Sequence, residues 1–370
     1  MILLLSGLAL AESWCAYPLE AHEWGVRLRG SAADPAPPWA QQRPPLQRAP
    51  ADPVRDLPAD NGLRELPVLY LYAPDGRSGD VPIAVEVGFG GGEATAWYPQ
   101  VDVLRSPAEV LRRGAEHQRW VATLAAGGRP DTGDPTAQLA WESLRGGASP
   151  AVDLPRLAAG DVRTTLRSPA QALWLHQGDS AERFLFYEGV TPEPDALTLE
   201  RGPTWAPGYL HWILRNTSPW PVYDVMVVEG DAVFFAPLIP PGAIAGFVHG
   251  ATVDRDPVSL LRGRLVDQEQ PAPSPAWRMD RDECVMMRDP AVPTRQSEGH
   301  RLYQDEVDAL LALWGDRLLG GPGARIIYRE SPALLDAVMP LAIYSDMAHD
   351  PHLRRTGLVL WTGLDLRGGP

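Results

Sequence analysis

The densest run of metal-ligand side chains is Ser345-Asp346-Met347-Ala348-His349-Asp350-Pro351-His352. Two imidazoles, His349 and His352, and two carboxylates, Asp346 and Asp350, suit Zn²⁺ or another divalent ion. A further imidazole such as His300 could arrive from elsewhere in the fold. With one coordination position open, such a site would activate a water for hydrolysis. The same string, with Pro351 inside it and Arg354-Arg355 after it, also reads as a polar loop between two strands. There is no His-Glu-x-x-His string, so no zincin is implied.

A second candidate is aromatic. Trp205, Tyr209, Trp212 and Trp220 cluster in sequence with His211 and Asn216. Exposed rings of this kind stack on a sugar face or anchor a protein partner. The competing reading is that they fill a core. His211 and Trp212 are neighbours in a strand-like run, so they lie on opposite faces and at least one of them should face outward.

Other strings carry less. Asp254-Arg255-Asp256 and Asp280-Arg281-Asp282-Glu283 lack EF-hand spacing and read as solvated loops. Gly88-Phe89-Gly90-Gly91-Gly92 lacks the spacing of a phosphate loop and reads as a hairpin or bulge. There is no G-x-S-x-G elbow, although a serine triad assembled from distant residues remains open. Were the chain cut after Ala21, His22 would offer a terminal amine and an imidazole to copper. Against that, His22-Glu23-Trp24-Gly25 reads as the start of the first strand.

Composition narrows the class. Every one of the 33 cations is arginine, and Asn61 and Asn216 are the only asparagines. With no lysine, a P-loop lysine, a Schiff base and a Ser–Lys dyad are all excluded. The net charge of −14 argues against nucleic acid and against a polybasic membrane patch. Residues 1–11, MILLLSGLALA, are too short to span a bilayer and fit a signal-peptide core with a small-residue cleavage site before Glu12. That implies a periplasmic or extracellular protein with no spanning segment in the mature chain. In such a compartment Cys15 and Cys284 could pair or stay free.

The elements that must position these residues are mostly strands. The chain holds 35 Gly and 39 Pro, a density that breaks helices and favours short strands between turns. Strands are expected at 66–72, 81–89, 172–176, 183–187, 197–200, 209–215, 222–229 and 232–235. The first two are expected to form a hairpin across the turn residues 74–79. A helix is expected to start at Ser106-Pro107. The best helix is Leu302 to Leu319, with Tyr303, Val307, Leu310, Leu311, Trp314 and Leu318 on one face. A shorter helix from Ser331-Pro332 must end before Pro340, with strands at 325–328, 341–344 and 358–362 around it. The fold class is mainly β: an antiparallel β-sandwich body with a small C-terminal α/β subdomain. The expected organisation is a signal peptide at 1–11, a first strand and Pro-rich arm at 12–60, the sandwich body at 61–266, a Pro-rich linker at 267–294 and the subdomain at 295–370.

Several strings resemble one family. They are His22-Glu23-Trp24-Gly25, Leu66-Pro67-Val68-Leu69-Tyr70-Leu71-Tyr72, Ala96-Trp97-Tyr98-Pro99, Phe184-Leu185-Phe186-Tyr187-Glu188-Gly189 and Leu334 to Leu341. In this order they are similar to a family of exported bacterial proteins, without an assigned activity, that carry HEWGTFT, ETPVLYFY, TEWYP and FLFYRG strings. This chain has Val26-Arg27-Leu28 in place of Thr-Phe-Thr, Ala96 in place of Glu and Glu188 in place of Arg. The resemblance implies export and a β-rich fold and brings no chemistry with it.

Together these readings describe an exported, envelope-associated β-sandwich with a binding or structural role and a carbohydrate or protein partner. The alternative is a metal-dependent hydrolase using the Asp346 to His352 loop. Export has a direct check. Intact-mass measurement of the protein from a suitable bacterial host should show a chain beginning near Glu12, and a mature mass that retains Met1 would refute the signal peptide.

Overall fold

The computed structural model describes residues 19–30, 47–48, 62–73, 81–105, 122–123, 126, 137–191, 193–202, 211–248, 256–266, 277–280, 283–286, 300–321, 323–345, 352–364 and 366. The strands, in chain order, begin with β1 (Glu20–Arg29), β2 (Gln47–Arg48), β3 (Gly62–Tyr72), β4 (Val81–Phe89), β5 (Glu93–Tyr98) and β6 (Val103–Arg105). After β7 (Ala137–Gly147) and helix α1 (Val162–Leu166) come β8 (Trp174–Gln177), β9 (Ser180–Glu182), β10 (Leu185–Thr191) and β11 (Leu197–Arg201). Then follow β12 (His211–Asn216), β13 (Val222–Glu229), β14 (Ala232–Ile239), β15 (Ile244–Val248) and α2 (Pro257–Leu265). The chain continues through β16 (Trp277–Asp280), β17 (Glu283–Met286), α3 (Gln304–Leu319), β18 (Ala324–Arg329), α4 (Pro332–Val338), β19 (Leu341–Ser345) and β20 (His352–Leu364).

A nine-stranded sheet in the order β14-β13-β18-β20-β1-β3-β10-β5-β2 is the middle layer. Apolar residues alternate along its strands, so each face is apolar and each must be covered. On one face two smaller sheets divide the cover. A six-stranded sheet, β19-β4-β7-β8-β9 with β6 beside β7, packs with α4 over Ala21, Leu69, Leu71, Trp97, Leu185 and Tyr187. The three-stranded sheet β11-β12-β15 packs Leu197, Trp212, Leu214 and Phe247 against β13, β14, β18 and β20. On the other face α1, α2 and α3 lie over Trp24, Val26, Tyr70, Phe186, Met226, Ile327 and Leu360. The fold is mainly β and the ladders are antiparallel, apart from the parallel pair of β1 with β20. It is a sandwich with a third, helical layer.

Two sequence expectations change. The strands 66–72 and 81–89 both exist, but they form no hairpin. β3 pairs with β1 and β10, whereas β4 pairs with β7 and β19. Leu69 and Leu71 on β3 and Val81 to Phe89 on β4 instead face one another across the same core. The segment 295–370 also reaches further than an appended unit. β18 and β20 lie inside the nine-stranded sheet and β19 is the edge of the six-stranded one. Strand β7 lies within a Gly/Pro-rich stretch, 125–160, whose composition hid it. Within 267–294, β16 and β17 form a two-stranded ladder. The expected helix at Ser106 and Cys15 lie outside the described residues, as does the side chain of Cys284.

α3 forms as its pattern requires. Tyr303 is the N-cap, and its N–H donates to Glu306 Oε2 at 2.6 Å, closing the first turn. Val307, Leu310, Trp314 and Leu318 are buried against the sheet, with Leu311 partly covered at the margin. Trp314 is fully enclosed. Trp314→Ala should therefore cost about 3–5 kcal/mol through lost contacts and a residual cavity. Denaturant titration checks this, and an unchanged midpoint would contradict the packing.

Candidate functional site

The aromatic candidates separate along β12. Because strand side chains alternate, Trp212 and Leu214 point into the core while His211, Ile213 and Arg215 point out. Trp212 is buried, so as a stacking residue it is corrected to a core residue. Trp220 follows the far end of β12. The strand rise puts that end about 17 Å from His211. Trp220 packs against the other cluster, under the six-stranded sheet. The two therefore do not share a platform with His211. Trp205 and Tyr209 lie outside the described residues.

Asn216 is a clamp. Its Nδ2 donates to the carbonyls of Trp220 at 2.8 Å and Ile239 at 2.9 Å. Its Oδ1 accepts from the Ser218 N–H at 2.9 Å and from Ser218 Oγ at 2.8 Å. All four hydrogen-bonding positions of the amide are thus used.

His211 sits on the outer face of the three-stranded sheet between two glycines. A Cβ on Gly246 would lie 2.6 Å from its Nε2, and one on Gly202 would overlap its Nδ1. The ring therefore lies across the sheet, with both neighbours stripped of side chains to admit it. Val248 is its cross-strand partner, and Ile213, exposed Ile244 and the surface pair Arg215 Nε to Glu200 Oε1 at 3.1 Å lie further along the same face.

The metal candidates fare differently. Asp346, His349 and Asp350 lie outside the described residues. The backbone of His352 begins β20 opposite Glu20, and its side chain is not described. Among the described residues no group of three or more His, Cys, Asp and Glu side chains is arranged to hold an ion. His300 is buried, and its carbonyl accepts from Thr356 Oγ1.

The His22 to Gly25 string has a structural account at each position. His22 is on the helical face. Its Nδ1 donates to Glu306 Oε2 at 2.8 Å, and its Nε2 lies 3.5 Å from Glu20 Oε2. Its ring packs between Tyr72 and Tyr303, with centroids at 4.9 and 4.5 Å. Tyr303 also donates its hydroxyl to Glu20. Glu23, on the opposite face, accepts from the Tyr187 hydroxyl at 2.6 Å and pairs with Arg355. Trp24 is core. Gly25 lies opposite Gly357 of β20, and a Cβ there would press on Pro67 at 3.1 Å. Residue 21 is buried between β3 and β20, so His22 is mid-strand and is not a chain terminus waiting for copper.

Sequence reading missed a buried network of charges. Arg27 Nε donates to Glu330 Oε1 at 3.1 Å, and Arg64 Nη1 donates to Glu330 Oε2 at 2.7 Å. Arg64 also pairs with Glu193 and donates from Nε to Thr191 Oγ1 at 2.9 Å. Arg27, Arg64, Glu193 and Glu330 are all buried. Burial opposes the charge on Glu193, but Arg64 and Arg27 outweigh it and hold its pKa below the usual range. The available signal was Arg27 and Arg29 alternating with Val26 and Leu28 in the second half of β1. Ala96 and Glu188 are direct cross-strand partners on β5 and β10.

These buried groups link strands of the central sheet. Two serine–acid pairs stand out: Ser259 Oγ to Asp256 Oδ2 at 2.8 Å, at the N-cap of α2, and Ser143 Oγ to Asp102 Oδ2 at 3.0 Å. Asp102 also accepts the N–H groups of Glu142 and Ser143, bracing a bulge in β7. The nearby imidazole of His176 bonds the Ser149 carbonyl instead.

No protein-family model and no curated protein matches the chain. Among solved structures it is similar to the "Fcho1 Mu homology domain (Danio Rerio) with bound Eps15 peptide". That similarity is 8 % identity over 94 % of this chain and 95 % of that one, with a TM-score of 0.32. A likeness this distant transfers no residue and no activity.

The His22 cluster makes stability depend on pH. Burial would lower the imidazole pKa, but the Glu306 carboxylate and the bond to Glu20 reverse this, and the net direction is upward. Burial likewise opposes ionisation of Glu20, yet bonds from His22 and Tyr303 bring it down to about 2. The His22 contribution is complete below the ordinary imidazole pKa of about 6.5 and is lost as pH rises through the higher folded value. The Glu20 contribution is present above the ordinary carboxyl value and is lost as pH falls towards 2. Denaturant midpoints from pH 6 to 10 should fall more steeply in the native protein than in His22→Gln. Parallel profiles would show that His22 does not titrate in this way.

Proposed function

We propose that the protein is an exported bacterial envelope protein of the family its sequence strings resemble, with a binding role and a protein partner. The observation that supports this most is the outer face of β11-β12-β15. There His211 lies across Gly202 and Gly246, with Ile213, Ile244 and the Arg215–Glu200 pair further along the same face. A sheet face that carries aliphatic and charged groups together fits a protein surface, whose core contacts are apolar and whose rim is polar. A sugar platform finds less support, because Trp212 turns inward and Trp220 stands at the far end of β12. No helix among the described residues is long and apolar enough to cross a membrane.

Site-specific photocrosslinking tests this reading. A photoreactive residue at Ile213, in the protein expressed in its native cells, should trap a protein adduct whose mass differs from a self-dimer. The same residue at Glu142, on the six-stranded sheet, should not. Absence of an adduct from position 213 would overturn the reading. So would a stoichiometric transition metal in the purified protein together with metal-dependent hydrolase activity.

A further inference from the structure

Residues 232–248 read AVFFAPLIPPGAIAGFV and contain no charged, hydroxyl or amide side chain, in a chain of net charge −14. This segment is β14, a turn and β15. β14 is the terminal strand of the nine-stranded sheet, and β15 is a terminal strand of the three-stranded sheet. Among the described residues, β14 and β15 are therefore two charge-free sheet edges. Edge strands are normally guarded by charge, proline or a bulge, because their free N–H and C=O groups invite pairing. Pro237 guards β14 and Glu200-Arg201 guard β11. β15 has none of these devices, and Ile244 on it is 54 % exposed.

The phase of the ladder shows which groups look outward. The Gly202 N–H donates to the His211 carbonyl at 2.8 Å, and the Asn216 N–H donates to the Ala243 carbonyl at 2.9 Å. Hydrogen-bonded pairs alternate along antiparallel strands. Residues 212 and 214 therefore bond to Phe247 and Ala245, and the backbone groups of Ile244, Gly246 and Val248 point away from β12.

We propose that β15 pairs with the β15 of a second copy of this chain, antiparallel about a twofold axis near Gly246. The two three-stranded sheets would become one six-stranded sheet. Gly246 of each copy would exchange backbone hydrogen bonds with its mate, and Ile244 of each would oppose Val248 of the other. Such an isologous edge is self-complementary, which is what a twofold contact requires. Charge favours a second copy here. Two chains that each carry −14 repel over most approaches, whereas this edge sets no like charges face to face. The contact would also join the two His211 faces into one continuous face, although it does not rest on the binding role given above.

Sedimentation equilibrium of the full mature chain at about 50 µM tests the pairing. The native protein should sediment as a dimer. Ile244→Lys, at a position too exposed to disturb folding, should weaken association at least about tenfold. Leu238→Lys, exposed on β14 and off the β15 edge, should leave the dimer intact. A monomeric native protein overturns the proposal, as does an Ile244→Lys variant that dimerises as strongly. A monomer whose β15 edge instead takes up an extended peptide or floats with lipid vesicles also overturns it.

Discussion

Four buried charges, Arg27, Arg64, Glu193 and Glu330, sit where the two small sheets meet over the central one. They come from β1, from β3, from the link after β10 and from the residue after β18, so the network ties together segments far apart in sequence. Tyr187 and Tyr328, from the apolar clusters on either side, reach into the surrounding polar system. Neutral packing could fill such a seam at similar or lower energy. What ionic partners add is geometric definition. Removing any one of them leaves the buried set with an uncompensated charge, so the strand registers that bring them together are strongly preferred.

β1 is the hinge of this arrangement because it works on both faces. Its odd-numbered residues, Glu23 and Arg27, supply the seam network, and its even-numbered residues, His22 and Trp24, meet the helical layer. Pairing with β20 on one side and β3 on the other joins the first described strand to the last. Glu306 serves two bonds at once, closing the first turn of α3 and receiving His22. The bond between His22 and Glu306 thus helps to fix the position of the helix on the sheet.

The thin sheet β11-β12-β15 has two unlike faces. Its inner face is spent on Trp212, Leu214 and Phe247, and its outer face carries His211. The glycines that make room for that ring also keep the face low, and the same Gly246 lies on an edge without charge. Face and edge are consequences of one short strand pair.

The sequence by itself determined the class and many of the elements. Alternation in 81–89 and the 3.6-residue stripe of 302–319 are local patterns, and β4 and α3 follow them. It also determined that His211 and Trp212 must part company, because neighbours on a strand face opposite ways. Which of them faced the core was decided only when β12 met β13 and β14. Tertiary structure alone decided that 66–72 and 81–89 enter different sheets, since each run is apolar enough to pair with any neighbour. It alone brought Ala96 beside Glu188, and Arg27 to Glu330 across 303 residues. Charge partners at that separation leave no periodic trace in a single chain, because the pairing is set by strand order and register rather than by local spacing.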